Sequence, residues 1–581
     1  MNRKSAISRS IAAISSVALA LTVGIATNAP SASAANKGGT LTFITNADNF
    51  AHADPGRIYT GQDIAFFESY LYRTLVMYAP YSGAKGSNLV GDLATNTGVS
   101  SDGGKTWSFT LRDGITYSDG SAITCADVKY AVSRTFATDV ITDGPAYART
   151  WLNIPKDSKG ESTYAGPYAK TGQAAYDKAV TCTGKTIAFH LNTPVSDFNY
   201  VMAYPISSPI KASADTGDKY DLAPLTEGPY KIQTYTNASQ LIMVRNSKWN
   251  AATDKIRTPF PDKVVVRFGV SEDVRDQIIL DDSEKAVLNL DGLQLQNNIA
   301  FWASPASKTR GMNVLDPYTS YPAANVSAGH LDCLEVRKAV FFAWDTLGLI
   351  KLSGGTKLFG TPGDNAIKPN EGLDYAPTKG NIHDKNWKIS GNPSYAKKLL
   401  AEAKTKCPAA YERATNPSKG ISYDRSDTAS SKKAAVVIKA AFEAAGLVVK
   451  FNYIPRAQYY PTIQDVTKQG DISGAGWGPD WANASTVIPP LFIKDGGFNL
   501  SQNWDDPAYP AFKKIVDAAN AETNRAKQAA LWKEASQYAQ DQYWLLNITF
   551  TKQQLEWTSG VQGVQFWGPQ GTFLFPRLSV A

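Results

Sequence analysis

Residues 89–136 read LVGDLATNTGVSSDGGKTWSFTLRDGITYSDGSAITCADVKYAVSRTF, and they decide the interpretation of the fold. Three Asp-Gly pairs supply turns in this stretch, at Asp102, Asp113 and Asp119. Between the first two turns, Trp107, Phe109 and Leu111 alternate with polar residues, which places their side chains on one face of a strand. The stretch therefore predicts a hairpin-like unit with one apolar face.

Helix starts are recognisable from their capping residues. Thr124 precedes Asp127 by three positions, and Asp332 precedes Glu335 by three, which are two capping-box spacings. Asn392 stands directly before a proline, a residue favoured at the first helical position. Each of these sites predicts the beginning of an amphipathic helix.

Strand-like runs lie between these helices and indicate an α/β protein. Each run is short, rich in β-branched or aromatic residues and bounded by turn residues. The runs are residues 40–45, 107–111, 186–191, 241–245, 263–268 and 448–453.

Length and composition limit the possible classes of protein. The chain has 581 residues, and a single hydrophobic core stops growing at roughly 250 to 300 residues, so two or more lobes are expected. With 43% apolar and 19% charged residues the chain is globular rather than disordered. The 59 basic and 52 acidic residues do not separate into a basic patch, so no nucleic-acid partner is expected.

The first 34 residues have the pattern of a signal peptide. Arg3, Lys4 and Arg9 precede an apolar run at residues 11–25, and small residues stand at the −3 and −1 positions of a cut after Ala34. The alternative is an uncleaved membrane anchor, but the run is shorter than the about 20 residues that a spanning helix needs. We expect an exported protein that is periplasmic, extracellular or held at the cell envelope.

The four cysteines predict disulfide bonds in an exported chain. None precedes Cys125, so we expect no lipid anchor at the cleavage site. Sequence proximity favours Cys125 with Cys182 and Cys333 with Cys407, although other pairings or buried thiols remain open. No CxxC pair and no Cys/His spacing predicts a zinc site.

Motifs of secreted enzymes are weak. Ser-x-x-Lys occurs at residues 82–85, 394–397 and 430–433, but no Ser-Asp-Asn accompanies it. Neither Gly-x-Ser-x-Gly nor His-Glu-x-x-His is present, and the four histidines are scattered. We therefore predict no catalytic residue, no metal and no cofactor, with a penicillin-binding or peptidase-type hydrolase as a remote alternative.

The stretch at residues 89–136 also resembles a known family. Its Asp-Gly-x5-Phe-x-Leu-Arg-Asp-Gly run, followed by Ser-Asp-Gly and Ala-Asp-Val-Lys-Tyr-Ala, is similar to the signature of the family 5 extracellular solute-binding proteins of ABC importers. These are receptors for dipeptides, oligopeptides and nickel. Further landmarks follow in the family's order, at residues 186–194, 227–230, 245–249, 336–345 and 396–403.

The resemblance implies a two-lobed fold of the periplasmic binding-protein type II, with a ligand enclosed between the lobes and an extra subdomain in the larger one. The expected division is a signal peptide at 1–34, lobe I at 35–80, 205–285 and 546–581, the extra subdomain at 81–204, and lobe II at 286–545.

The resemblance also implies a ligand site in the run Gly-Trp-Gly-Pro-Asp-Trp at residues 476–481. The family's aspartate, three positions after the tryptophan, binds the free α-amino group of peptide ligands, and Asp480 occupies that position. Trp477 is a second candidate ligand contact. The alternatives are that Asp480 caps a turn after Pro479 and that Trp477 packs inside lobe II. Trp481 stands where relatives have tyrosine, which leaves the ligand's identity open.

The function expected from the resemblance is capture of a small solute, foremost a peptide, without chemistry. The partners would be two ABC permease subunits and their ATPases, and the binding protein itself would be a monomer. Within the same fold, an oligosaccharide, a nickel chelate or an opine is the alternative ligand.

Overall fold

Two large mixed sheets organise the chain in the computed structural model, which describes residues 37–169, 171–494 and 496–581. The predicted signal peptide lies outside these ranges. Each large sheet packs in its own hydrophobic core, and a smaller sheet shares the first core. Among the helices of the described ranges, none combines the length and apolar character of a membrane-crossing segment.

The first lobe contains a five-stranded sheet. Thr40–Ile44 pairs in parallel with both of its neighbours, and the remaining pairs are antiparallel. In spatial order the strands are Val287–Asn289, Thr40–Ile44, Lys263–Arg267, Gln240–Arg245 and Tyr230–Thr236. The helices of this lobe are Gly61–Tyr70, Glu272–Asp281 and Leu295–Ala303. Short strand pairs complete it: Val76–Tyr78 with Leu89–Gly91, Val561–Gln562 with Ser579–Val580, and Phe566–Trp567 with Thr572–Phe573.

The second lobe contains a six-stranded sheet. In spatial order the strands are Gly360–Pro362, Thr549–Glu556, Gly311–Ala324, Ile472–Trp477, Ile421–Ser426 and Val449–Ile454. The longer helices are Leu334–Ala343, Thr346–Leu352, Pro393–Lys406, Pro408–Thr415, Ala429–Ala444, Tyr509–Ala521 and Arg525–Asp541, and the shorter ones are Gly355–Leu358, Tyr459–Ile463 and Ile488–Phe492.

The stretch quoted above supplies two strands of a four-stranded antiparallel sheet beside the first lobe. Its strands are Val99–Ser101, Thr106–Thr110, Thr186–His190 and Val180–Thr183, and its helices are Cys125–Arg134, Tyr147–Trp151, Gly166–Ala169, Gln173–Ala179 and Phe198–Val201. Trp107 and Phe109 are buried on one face of this sheet, as their alternation predicts. This small sheet lies within residues 81–204, the expected extra subdomain.

Local predictions from the sequence agree closely with the structure. All six predicted strands match strands within one residue at each end. The capping box of Thr124 and Asp127 and the cap by Asn392 are confirmed. The capping box predicted at Asp332 is wrong, because the helix begins at Leu334 after Cys333, and Asp332 instead accepts a hydrogen bond from the Gly329 backbone.

Two long strands connect the lobes. Thr549–Glu556 pairs with Gly311–Ala324, and this pairing shifts its register between Leu315 and Thr319. Along Thr549–Glu556, Leu555 packs in the first core and Phe550 in the second. The register shift therefore lies where the chain passes from one lobe to the other.

Strand pairing bears on the lobe boundaries expected at 285/286 and 545/546. Val287–Asn289 pairs with Thr40–Ile44 in the first sheet, and Thr549–Glu556 pairs in the second. The strand Val287–Asn289 was expected in lobe II but belongs to the first sheet. The strand Thr549–Glu556 was expected in lobe I but belongs to the second sheet. We propose that the first lobe extends to about residue 310 and resumes near residue 557, because sheet membership rather than the order of motifs defines a lobe.

The four cysteines lie in the two pairs favoured from the sequence, each at disulfide distance. The Cα atoms are 6.0 Å apart for Cys125 and Cys182 and 6.3 Å apart for Cys333 and Cys407. The first pair ties the helix Cys125–Arg134 to the edge strand Val180–Thr183, and the second ties the helix Leu334–Ala343 to the helix Pro393–Lys406.

Removing the first pair is expected to lower the free energy of unfolding. In the double variant Cys125→Ala/Cys182→Ala the unfolded chain regains the freedom of a loop whose ends are separated by 57 positions, an effect of about 2 to 4 kcal/mol. Chemical denaturation of oxidised protein measures it. Reducing agent should lower the stability of the wild type more than that of the double variant, because the double variant retains only the pair Cys333 and Cys407. Equal stability of oxidised wild type and variant would contradict a bond between these two cysteines.

Candidate ligand-binding site

A cavity of about 250 Å³ lies between the two lobes. Residues from the first lobe, the extra subdomain and the second lobe line it, among them Tyr59, Gln62, Tyr204, Tyr318, Asp480 and Gln570. Direct contacts also cross it, since Gln62 Nε2 donates to the Tyr318 hydroxyl at 3.2 Å. The lobes are therefore closed on each other around the predicted residue Asp480.

Three tyrosine hydroxyls surround the carboxylate of Asp480. Tyr59 donates to Oδ1 at 3.1 Å, and Tyr147 donates to Oδ2. Tyr204 lies 2.9 Å from the backbone carbonyl oxygen of Asp480 and 3.5 Å from Oδ1. All three tyrosines belong to the opposite side of the cleft, so Asp480 is a point at which both sides meet.

Among the residues that the structure describes, the carboxylate of Asp480 has no positively charged side chain as a partner. Burial raises the pKa of Asp480 above its ordinary value, while the hydrogen bonds from the three tyrosines act in the opposite direction. Within the described ranges no Lys, Arg or His nitrogen forms a salt bridge with it. Burial and the neighbouring carboxylate raise the pKa of Tyr59 and Tyr147, so their hydroxyls remain donors. A ligand ammonium would supply the missing positive charge.

The position of Asp480 follows from the strand that precedes it. Ile472–Trp477 pairs antiparallel with Gly311–Ala324, with Trp477 opposite Thr319. At the end of the strand, a Cβ on Gly478 would lie 2.6 Å from the ring of Tyr318, so only glycine allows this close approach. Pro479 and Asp480 follow, and both line the wall of the cavity.

Trp477 points away from this cavity. Its ring packs on Phe498 with 5.3 Å between centroids, its Nε1 donates to the carbonyl oxygen of Thr486 at 2.7 Å, and it joins the second core. Successive residues of a strand face opposite sides, so Ala475 and Trp477 face the core. The glycines at 474 and 476 face the opposite side, where they line a second cavity of about 580 Å³ in the cleft wall. A ligand contact by Trp477 stays a prediction, and the structure places its side chain on the core side.

A second contact between the two sides of the cleft was not predicted. Asp197, in the extra subdomain, is buried and accepts hydrogen bonds from Trp481 Nε1 at 2.7 Å and from Ser485 Oγ at 2.8 Å, both in the second lobe. Burial raises the pKa of Asp197. The indole donor gives a physical role to the tryptophan that stands where the resemblance led us to expect tyrosine. No sequence signal marks Asp197, because its partners lie more than 280 residues away.

Replacing Asp197 with alanine is expected to weaken closure of the lobes. The Trp481 N–H and the Ser485 hydroxyl would lose their acceptor, which costs about 1 to 3 kcal/mol in a buried place. Small-angle scattering of the ligand-free variant should show a larger radius of gyration than the wild type. Asp139→Ala, an exposed change in the same subdomain, is the matched control. An unchanged scattering profile for Asp197→Ala would show that this contact does not hold the lobes together.

Comparisons with known proteins find relatives over most of the chain. The family model described as bacterial extracellular solute-binding proteins, family 5 Middle, matches residues 88–499. The oligopeptide-binding protein OppA of Bacillus subtilis is 25% identical over 460 residues, 76% of each chain. The probable D,D-dipeptide-binding periplasmic protein DdpA of Escherichia coli is 25% identical over 513 residues, 85% of this chain and 86% of that protein.

Among solved structures, the clavulanic acid biosynthesis oligopeptide binding protein 2 superposes with a TM-score of 0.82 and 26% identity. The match covers 94% of this chain and 96% of that one. The α/β, two-lobed type II fold expected from the sequence is thereby confirmed.

Proposed function

Because the chain belongs to family 5 of the bacterial extracellular solute-binding proteins, we propose that it binds a peptide between its lobes for delivery to an ABC importer. The relatives and the solved structure named above carry peptide-binding names. The ligand would stabilise the closed form by contacting both lobes, and the permease would recognise that form. Two permease subunits and their ATPases would be the partners of a monomeric binding protein.

The observation that carries the proposal is the carboxylate of Asp480 on the wall of the cleft, which forms no salt bridge with any residue that the structure describes. A carboxylate offers about four acceptor positions. Hydroxyls of Tyr59 and Tyr147 occupy one on each oxygen, and the Tyr204 hydroxyl lies 3.5 Å from Oδ1, which leaves a position on Oδ2 for the ammonium of a ligand. A charge-assisted hydrogen bond in this buried place would fix the amino end of a peptide.

The strand before Asp480 supports a peptide rather than another solute. Its neighbour Ile421–Ser426 pairs with it only at Ile472 and Ser473, so from Gly474 onward this edge has no strand partner in the described ranges. An extended peptide can add to a free strand edge through main-chain hydrogen bonds. Because Gly474 and Gly476 carry no side chain, the ligand backbone can approach closely.

The alternative ligands have less support. The four histidines, which a nickel chelate would favour, do not line the cavity, and three of them contact aspartates elsewhere: His52, His330 and His383. An oligosaccharide has no ammonium for Asp480. An opine with a free amine would still bind there, and direct identification of the ligand separates it from a peptide.

We further propose that residues 1–34 direct export, that the mature protein carries no N-terminal lipid and that both cysteine pairs are oxidised after export. The family consists of binding proteins, and we infer that this chain has no catalytic activity. Turnover of a chromogenic β-lactam or peptide by the purified protein would contradict that inference.

Native mass spectrometry tests the proposed function. The mature protein is purified from its host without denaturation, and the bound molecules are released and sequenced. We expect a set of short peptides with free amino ends. A single sugar, metal chelate or opine would overturn the peptide assignment. A titration with synthetic peptides then compares free and N-acetylated amino ends, and equal affinity for both would remove Asp480 as the amino anchor.

A further inference from the structure

A separate cavity, of about 250 Å³, lies inside the first lobe, and we call it the first-lobe cavity. It lies beyond the carboxyl ends of the three parallel strands of the first sheet. The residues that directly follow these strands line it: Thr45, Phe268 and Leu290. Open α/β sheets bind their ligands in crevices outside the carboxyl ends of their strands. The first-lobe cavity therefore lies where this kind of sheet holds a ligand.

One wall of the first-lobe cavity is aromatic. Four phenylalanines line it: Phe50, Phe66, Phe268 and Phe575. The ring centroid of Phe50 lies 4.9 Å from that of Phe66 and 5.6 Å from that of Phe268, so the rings form one packed surface. Phe50 remains partly exposed, whereas the other three are buried. Such a wall accommodates the apolar part of a ligand, and aromatic rings also attract cations.

One carboxylate on the wall of the first-lobe cavity lacks a positively charged partner. Asp63 lies in the first turn of the helix Gly61–Tyr70 and is partly buried. In the described ranges no Lys, Arg or His nitrogen forms a salt bridge with it. Burial raises the pKa of Asp63, while Thr60 and His52 act in the opposite direction. A ligand cation would supply the missing positive charge.

The other polar groups of this wall are acceptors or are already paired. None of the lining residues that the structure describes is Lys, Arg or His. Asp291, the second acid of the wall, is paired with Arg275 at 3.1 Å. The amide nitrogens of Asn49 and Gln62 donate to a backbone carbonyl at 2.7 Å and to a tyrosine hydroxyl at 3.2 Å, so their amide oxygens remain acceptors. This combination of groups fits an ammonium ion that carries an apolar group.

We propose that the first-lobe cavity binds a small organic ammonium ion, whose charge pairs with Asp63 and whose apolar group packs on the phenylalanines. This site goes beyond the proposed function, because it is separate from the peptide anchor at Asp480. Every described residue of its wall belongs to the first lobe as divided above, so binding there does not require closure of the lobes. Gln62 lines both cavities, which makes the two sites neighbours, each with its own carboxylate.

Calorimetric titration with benzylamine and benzyl alcohol at neutral pH tests the proposal. The mature protein carries Asp480→Asn, so that the amine has no carboxylate at the peptide anchor. Benzyl alcohol has the same ring without the charge and should bind about 10- to 100-fold more weakly, the scale of a hydrogen bond to a charged group. Adding Asp63→Asn should remove this preference for the amine. Thermal unfolding checks that each variant is folded.

Asp273→Asn in the same background is the matched control. Asp273 is an exposed acid in the first turn of the helix Glu272–Asp281, in the same lobe, and does not line the cavity. This variant should keep the preference for the amine. Equal binding of benzylamine and benzyl alcohol, or no binding of either, would overturn the ammonium site and leave the peptide function untouched. Binding of benzylamine to the wild type but not to Asp480→Asn would assign the amine to the peptide site and overturn a separate one.

Discussion

Asp480→Asn is expected to lower the affinity for a peptide with a free amino end by about 30- to 1,000-fold, the range for truncating one partner of a buried charge pair. Asparagine keeps the size of the side chain and one oxygen that accepts from the tyrosine hydroxyls. It lacks the negative charge that attracts an ammonium and leaves that ammonium desolvated without a counter-charge. Isothermal titration calorimetry at neutral pH measures the loss.

The N-acetylated form of the same peptide is the control for this variant. It has no ammonium, so it should bind the wild type weakly and bind Asp480→Asn with the same weak affinity. Asp119→Asn changes an exposed aspartate of a surface turn and should leave both affinities unaltered. If Asp480→Asn binds the free peptide as tightly as the wild type does, the carboxylate is only a partner for the three tyrosines, and the ligand is anchored elsewhere.

The sequence predicts the parts of this molecule that depend on local patterns. The strand of Trp107 and Phe109 follows from alternation, and the helix after Thr124 follows from its capping box. Both signals lie within a few residues, and the physical preference they express is local. Asp480 was found in a different way, through the resemblance of residues 476–481 to a family motif.

The rest of the site depends on contacts that no local pattern encodes. Three tyrosines contact Asp480 from far away in the sequence: Tyr59 at 421 positions, Tyr147 at 333 and Tyr204 at 276. The chain has 28 tyrosines, and no sequence pattern sets these three apart from the rest. The lobe boundaries have the same origin, because Val287–Asn289 joins the first sheet only by pairing with Thr40–Ile44. In both cases contacts between distant parts of the chain, rather than local sequence patterns, determine the structure.

Trp477 shows how register decides between two predictions. Ligand contact and core packing were both open from the sequence, since a tryptophan beside a binding aspartate suits either. The side-chain period of a strand is two residues, so the glycines at 474 and 476 and the tryptophan at 477 must face opposite sides. Once the pairing of Trp477 with Thr319 is known, the bare face belongs to the cleft and the indole to the core.

Gly476→Val is expected to abolish tight ligand binding, with a loss of at least about 100-fold, because the new side chain would project into the cleft beside the free edge along which the ligand would lie. The fold should tolerate the change. Gly476 is exposed within a strand, and a Cβ there meets only the carbonyl oxygen of Thr319, at 3.7 Å. Valine is favoured in strands. Calorimetry of peptide binding together with thermal unfolding separates the two effects.

Gly476→Ala gives the intermediate step of the series, since a methyl group fills less of the cleft and should cost less affinity than valine. Ser100→Val places the same β-branched side chain on an exposed strand of the small sheet and should alter neither affinity nor stability. A variant Gly476→Val that melts like the wild type and still binds peptide tightly would show that the ligand does not lie along this edge. In that case the amino anchor at Asp480 could stand, but the peptide would have to leave Asp480 in another direction.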